Sequence, residues 1–168
     1  MSRTVSFEEQ RRIVLAAVVS TTATVFLLSW PAFAQSSPTS TLVGSWGGSG
    51  RISYNDGSSE SIRCNAYYTG GGNQLSMAIQ CKSETNAINL RSKLKIEGTR
   101  ASGDWEERTF NANGTASGKA GGDSLSLSIG GGGFTGTMAV SYTKSSHSVQ
   151  ITTQGIAMKS ANMSFTRR

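Results

Sequence analysis

Between Ile88 and Glu97 the chain alternates with a period of two, Ile88, Leu90, Ser92, Leu94 and Ile96 against Asn89, Arg91, Lys93, Lys95 and Glu97. Only an extended strand with one buried and one wet face sorts residues that way. The same period runs through Leu125, Leu127 and Ile129, and again through Phe134, Gly136, Met138, Val140 and Tyr142. Beyond Pro38 there is no proline, and no stretch holds apolar residues at helical spacing over several turns. We expect no helix in this part of the chain.

Turn signals separate the alternating runs: Asn55-Asp56-Gly57, Gly70-Gly71-Gly72-Asn73, Asn113-Gly114 and Gly130 to Gly133. They are too close together for parallel crossovers, so consecutive strands pair as hairpins. Runs starting near Ser45, Ser59, Gln74, Ala87, Ala101, Thr115, Asp123, Phe134, His147 and Ile156 give about eight to ten strands in an up-and-down antiparallel meander. An open sheet of that size leaves unpaired edges, and closure into a small barrel removes them. Gly48, Gly50, Gly103, Gly118 and Gly136 supply the close approaches that such a barrel needs.

The N-terminal segment sets the compartment. Arg3, Arg11 and Arg12 precede an apolar run from Ile13 to Trp30, and Ala32-Phe33-Ala34 follows it, the three-part pattern of a secretory signal. Residues 1–34 are read as a signal peptide cleaved before Gln35, residues 35–41 as a flexible lead and residues 42–168 as one domain. The expected location is periplasmic or secreted, with membrane attachment only through an uncleaved signal. Of 16 basic and 10 acidic residues the signal holds three and two, so the mature chain keeps 13 against 8, a charge of +5. The basic residues are scattered, Arg91, Lys93 and Lys95 forming the one local stripe, and no nucleic-acid partner is expected. The outward face, with Arg91, Lys93, Lys95, Glu97, Asp104, Glu106 and Arg108, would be strongly destabilising against hydrocarbon, which argues against a membrane barrel.

Cys64 and Cys81 are the only cysteines. A hairpin centred on Gly72-Asn73 pairs residues whose numbers sum to 145, which sets Cys64 opposite Cys81, Ala66 opposite Ile79 and Tyr68 opposite Met77. An oxidising compartment then favours a structural disulfide. No metal or cofactor site is expected, because the spacing lacks Cys-x-x-Cys and the single histidine, His147, reads as part of a polar turn.

Gly44-Ser45-Trp46 opens the first strand, Gly103-Asp104-Trp105 repeats the spacing, and the chain closes on Arg167-Arg168. With the meander, these residues resemble the calycin superfamily, the lipocalins, fatty-acid-binding proteins and avidins. The resemblance implies a barrel in which Trp46 plugs one end and Arg167 or Arg168 lies over its indole.

Inward parity makes Trp46, Tyr54, Tyr68, Met77, Trp105, Phe134 and Tyr142 the candidate ligand-binding set, with Glu107 beside Trp105 as the polar group that orients a ligand. An apolar small molecule is the first expected partner. The alternative is a protein-binding envelope module such as a protease inhibitor, using outward Tyr67 and the glycine loops at 70–72 and 130–133. Catalysis is not expected, since one histidine cannot fill several roles and Asp104 and Glu106 point outward as a solvated face would.

Overall fold

The computed structural model describes residues 38–168, and the signal-peptide reading of residues 1–34 lies outside them. Ten antiparallel strands form a meander: β1 (Gly44–Tyr54), β2 (Ser59–Gly71), β3 (Gln74–Lys82), β4 (Ala87–Glu97), β5 (Arg100–Glu107), β6 (Ala112–Ala120), β7 (Ser124–Gly131), β8 (Phe134–Tyr142), β9 (Ser146–Gln154) and β10 (Met158–Arg167). Each strand pairs with its successor, and β1 also pairs with β10, so the sheet closes into a barrel. Closure satisfies the backbone groups that an open edge would leave unpaired.

Alternation decides which side chains face inward. In β4, Ser92, Leu94 and Ile96 are buried while Arg91, Lys93, Lys95 and Glu97 are exposed. On β5 and just beyond it, Asp104, Glu106 and Arg108 are exposed as well. Such a rim of charge faces water, and a lipid-facing band would have to be apolar there.

The β2–β3 hairpin has the expected register, Cys64 opposite Cys81, Ala66 opposite Ile79 and Tyr68 opposite Met77. The two cysteines form a disulfide with Cα atoms 4.1 Å apart. Both sulfurs pack against Met163 Sδ from β10, at 3.9 and 4.0 Å. This covalent clip therefore lies inside the barrel, against the strand that closes it.

Glycine lets neighbouring strands come close where the sheet coils tightly. A Cβ on Gly103 would lie 1.9 Å from the Lys93 carbonyl oxygen, and one on Gly118 would lie 2.0 Å from the Ser126 carbonyl oxygen. No side chain fits at those spacings.

Three features differ from the sequence reading. Residues Pro38–Leu42 form one helical turn, α1, although no helix was expected there. Its Leu42 is fully buried, and burial of this residue rather than helical periodicity holds so short a turn in place. Asn113-Gly114, read as a turn, lies inside β6, and the reversal falls earlier, where Asn111 takes the left-handed conformation (φ 52°). His147, read as part of a polar turn, sits in β9 and is only 3% exposed.

Candidate functional site: an open calyx with a sealed base

Strand direction divides the barrel into two ends. β1 rises from the base at Gly44 to the mouth at Tyr54, β2 descends from Ser59, and the alternation continues around the barrel. The loops following β1, β3, β5, β7 and β9 therefore ring the mouth. The base receives the other loops, α1 and the C-terminus.

The base is sealed by aromatic and cationic groups. Trp46 donates its indole N–H to the Leu42 carbonyl of α1 at 2.8 Å. His147 meets the Trp46 ring edge-on with centroids 4.6 Å apart and stacks on Phe165 at 4.5 Å. Its Nε2 shares a 3.0 Å hydrogen bond with the Tyr68 hydroxyl, while Nδ1 has no partner. Over the Trp46 ring lies the Arg167 guanidinium, 4.2 Å from the ring centroid. It also donates to the carbonyls of Lys144, Val43 and Thr41 at 2.7, 2.8 and 2.6 Å. Arg167, not Arg168, is thus the cation over the plug. Burial, with the Arg167 charge second, lowers the His147 pKa to about 4, so the ring is neutral near pH 7. Burial likewise pushes the Tyr68 phenol far up, and it takes the Tyr142 phenol up to about 12 with help from Asp123.

Above this plug is a cavity of about 940 Å³ that opens at the mouth. Ten strands enclose more space than an eight-stranded barrel, whose interior its own side chains can fill. Small residues on the wall, Ala112, Ala116 and Ala161, widen it further. Its depth is walled by Ile52, Ile62, Met77, Ile79, Leu94, Leu127, Met138 and Met163 among others. Trp105 and Phe134 line the upper wall with ring centroids 5.3 Å apart, and the Trp105 N–H donates to the Thr115 carbonyl at 3.2 Å. Ser92, also on the wall, is 9% exposed, and its hydroxyl has no hydrogen-bond partner.

Polar groups gather at the rim. The Tyr54 hydroxyl and the Asn86 side-chain amide both donate to Glu60 Oε1, at 2.8 and 2.9 Å. The Ser83 hydroxyl, first, and then Tyr54 hold the Glu60 carboxyl below its ordinary pKa. The Ser83 hydroxyl also lies 3.4 Å from the Asn86 carbonyl. Glu107 sits farther along the rim at the end of β5, with Oε1 accepting from the Asn89 N–H at 2.6 Å and Oε2 from the Phe110 N–H at 2.7 Å.

Of the residues chosen by inward parity, Tyr54, Met77, Trp105, Glu107 and Phe134 line this cavity. Trp46, Tyr68 and Tyr142 do not; they belong to the base, where Tyr142 donates its hydroxyl to the Gly121 carbonyl at 2.9 Å. Parity gives the radial direction of a side chain and is blind to its height. Glu60 was missed although it shares parity with Ile62, Cys64 and Ala66, a charged side chain on an inward face that was itself a signal. Asn86 sits in a loop, where alternation gives no guidance.

No protein-family model matches the chain, and no curated protein sequence matches it. Solved structures do. The structure of Rv2717c from M. tuberculosis superposes with a TM-score of 0.62 at 14% identity, covering 77% of this chain and 94% of that one. The S-type phycobiliprotein lyase CPES from Guillardia theta superposes with a TM-score of 0.58 at 12% identity, covering 77% and 90%. Both are calycin-like barrels, and identities this low speak for the fold alone. With its Gly-x-Trp plug, its basic lid and its closed antiparallel meander, the chain folds as a calycin-like β-barrel.

Proposed function

We propose that this protein binds an apolar small molecule in its calyx, outside the cytoplasm. The supporting observation is the cavity itself: about 940 Å³, open at one end, walled by aliphatic and aromatic side chains with a few polar groups at the rim. That size lies toward the upper end of small-molecule sites, and the combination of apolar wall and sparse polar anchors is what orients a mostly apolar ligand. A carrier needs no chemistry at the wall, only desolvation of its cargo and a base that stays shut. The sealed aromatic base meets the second requirement.

The disulfide and the N-terminal signal pattern support the location, because a structural bridge persists where the environment is oxidising. N-terminal sequencing of the exported protein should begin at Gln35; an intact Met1 on the exported form would contradict cleavage. Native mass spectrometry of protein taken from its own compartment tests the carriage reading. A retained small molecule is the expected result, whereas a bare chain carrying a second protein instead would favour an interaction module.

A further inference from the structure

The cavity carries a charge bias opposite to that of the chain. The whole sequence has a formal charge of +6, yet the charged residues on the cavity wall are Asp56, Glu60 and Glu107, all acidic. Arg108 and Lys159, close to the same rim in sequence, are exposed and not part of the wall. Among the described residues the ion pair present is Lys95 with Glu97, so none of the three wall carboxylates is paired with a cation.

Their hydrogen bonding singles out one of them. Glu107 has a backbone N–H on each oxygen. Asp56 Oδ1 accepts from the Ser58 backbone at 2.9 Å and hydroxyl at 2.6 Å. Glu60 is bound by side chains alone: Tyr54 and Asn86 donate to Oε1, and the Ser83 and Thr85 hydroxyls help hold its carboxyl below the ordinary pKa. A carboxylate at an apolar rim with no cation beside it gains from a charged donor. The bonded neighbour of Glu60, Tyr54, brings an aromatic ring to the same wall, and the face of such a ring attracts cations.

Resting on the proposal that the calyx binds an apolar small molecule, we infer that the preferred ligand carries a protonated amine head, held at the rim by Glu60 and the Tyr54 ring beside it, on an apolar body. An ammonium group supplies charged N–H donors and a positive charge among three carboxylates that have no cation partner. A carboxylate-headed ligand of the same length meets the opposite field.

Three ligands that share one tail separate the possibilities: dodecylamine, dodecanol and dodecanoate, each below its micelle-forming concentration near neutral pH. They compete against a hydrophobic fluorophore bound to the mature, disulfide-bonded protein. Dodecylamine should bind about tenfold or more tighter than dodecanoate, the scale of one charge-assisted hydrogen bond, with dodecanol between them. Glu60→Gln should abolish the amine preference, read as the ratio of dodecylamine to dodecanol affinity, and retained displacement by dodecanol reports that the variant has folded. Added salt should weaken the amine preference in the unaltered protein but spare dodecanol. Dodecanoate binding as tightly as dodecylamine would overturn the inference while leaving the calyx proposal intact. So would an amine preference that survives Glu60→Gln. Failure of all three to displace the fluorophore would overturn both.

Discussion

At the scale of single residues the base of the barrel is the most heavily determined region. Arg167 combines a cation over the Trp46 ring with three hydrogen bonds to backbone carbonyls of α1, of Val43 just after it and of the β8–β9 loop. Arg167→Ala should therefore destabilise by about 2 kcal/mol, combining an indole contact with charge-assisted hydrogen bonds, and chemical denaturation will measure it. Arg167→Lys keeps the charge but not the planar fork, and should recover only a minority of the loss. His147 makes stability depend on pH. Its folded pKa of about 4 lies below the ordinary 6.5, so the unfolded chain takes up the proton first as the medium is acidified. The stabilisation from keeping it neutral is complete above about pH 6.5 and is lost as pH falls toward 4. His147→Gln, which can still bond the Tyr68 hydroxyl, should flatten the denaturation midpoint across that window relative to the parent. An equal slope in both proteins would rule out His147 as the source. The plug and its lid were legible from Gly44-Ser45-Trp46 and the terminal arginines, whereas His147 was not. Flanked by Ser146 and Ser148, it looks like a solvated residue, and its burial follows from tertiary contacts with Trp46 and Phe165 on other strands.

At the scale of elements, alternation and turn chemistry identified nearly every strand, because each has one wet and one buried face. The β2–β3 register followed from a single turn position, and the disulfide agrees with it. Replacing both cysteines with serine should cost about 3 kcal/mol on the chain-entropy account, given a separation of 17 residues, with the barrel still folding at ambient temperature. Gly103→Ala tests the tight coil between β4 and β5. Its Cβ would collide with the Lys93 carbonyl, which is backbone and cannot swing away, so a loss of about 2 kcal/mol or more is expected. A neutral Gly103→Ala, seen as an unchanged denaturation midpoint, would show that the strands can part there at little cost. What the local pattern could not supply was α1, five residues too few for any periodicity, fixed by Leu42 beneath the Trp46 indole. Asn113-Gly114 misled for a related reason: its turn propensity is real, but the pairing of β6 with β5 and β7 overrides it.

At the scale of the whole molecule, the sequence could say which side chains point inward and could not say whether they meet. Packing depends on barrel circumference. Closure through ten strands, with Ala112, Ala116 and Ala161 on the wall, leaves a cavity where a narrower barrel would be solid. Height along the axis mattered as much as parity. Counting from each turn would have placed Trp46, Tyr68 and Tyr142 at the base and Tyr54, Trp105 and Phe134 toward the mouth. The outer surface keeps its charges in water, and the acidic residues that line the cavity stand at its rim on a basic molecule. The central claim is that this interior takes up an apolar ligand, and titration with an environment-sensitive hydrophobic fluorophore tests it most directly, comparing the mature protein with Ala116→Trp, in which an indole occupies the cavity. Saturable binding at one site per chain, lost in Ala116→Trp while the barrel's circular dichroism is retained, is the predicted result; no saturable binding, or binding that survives the filled cavity, would contradict it.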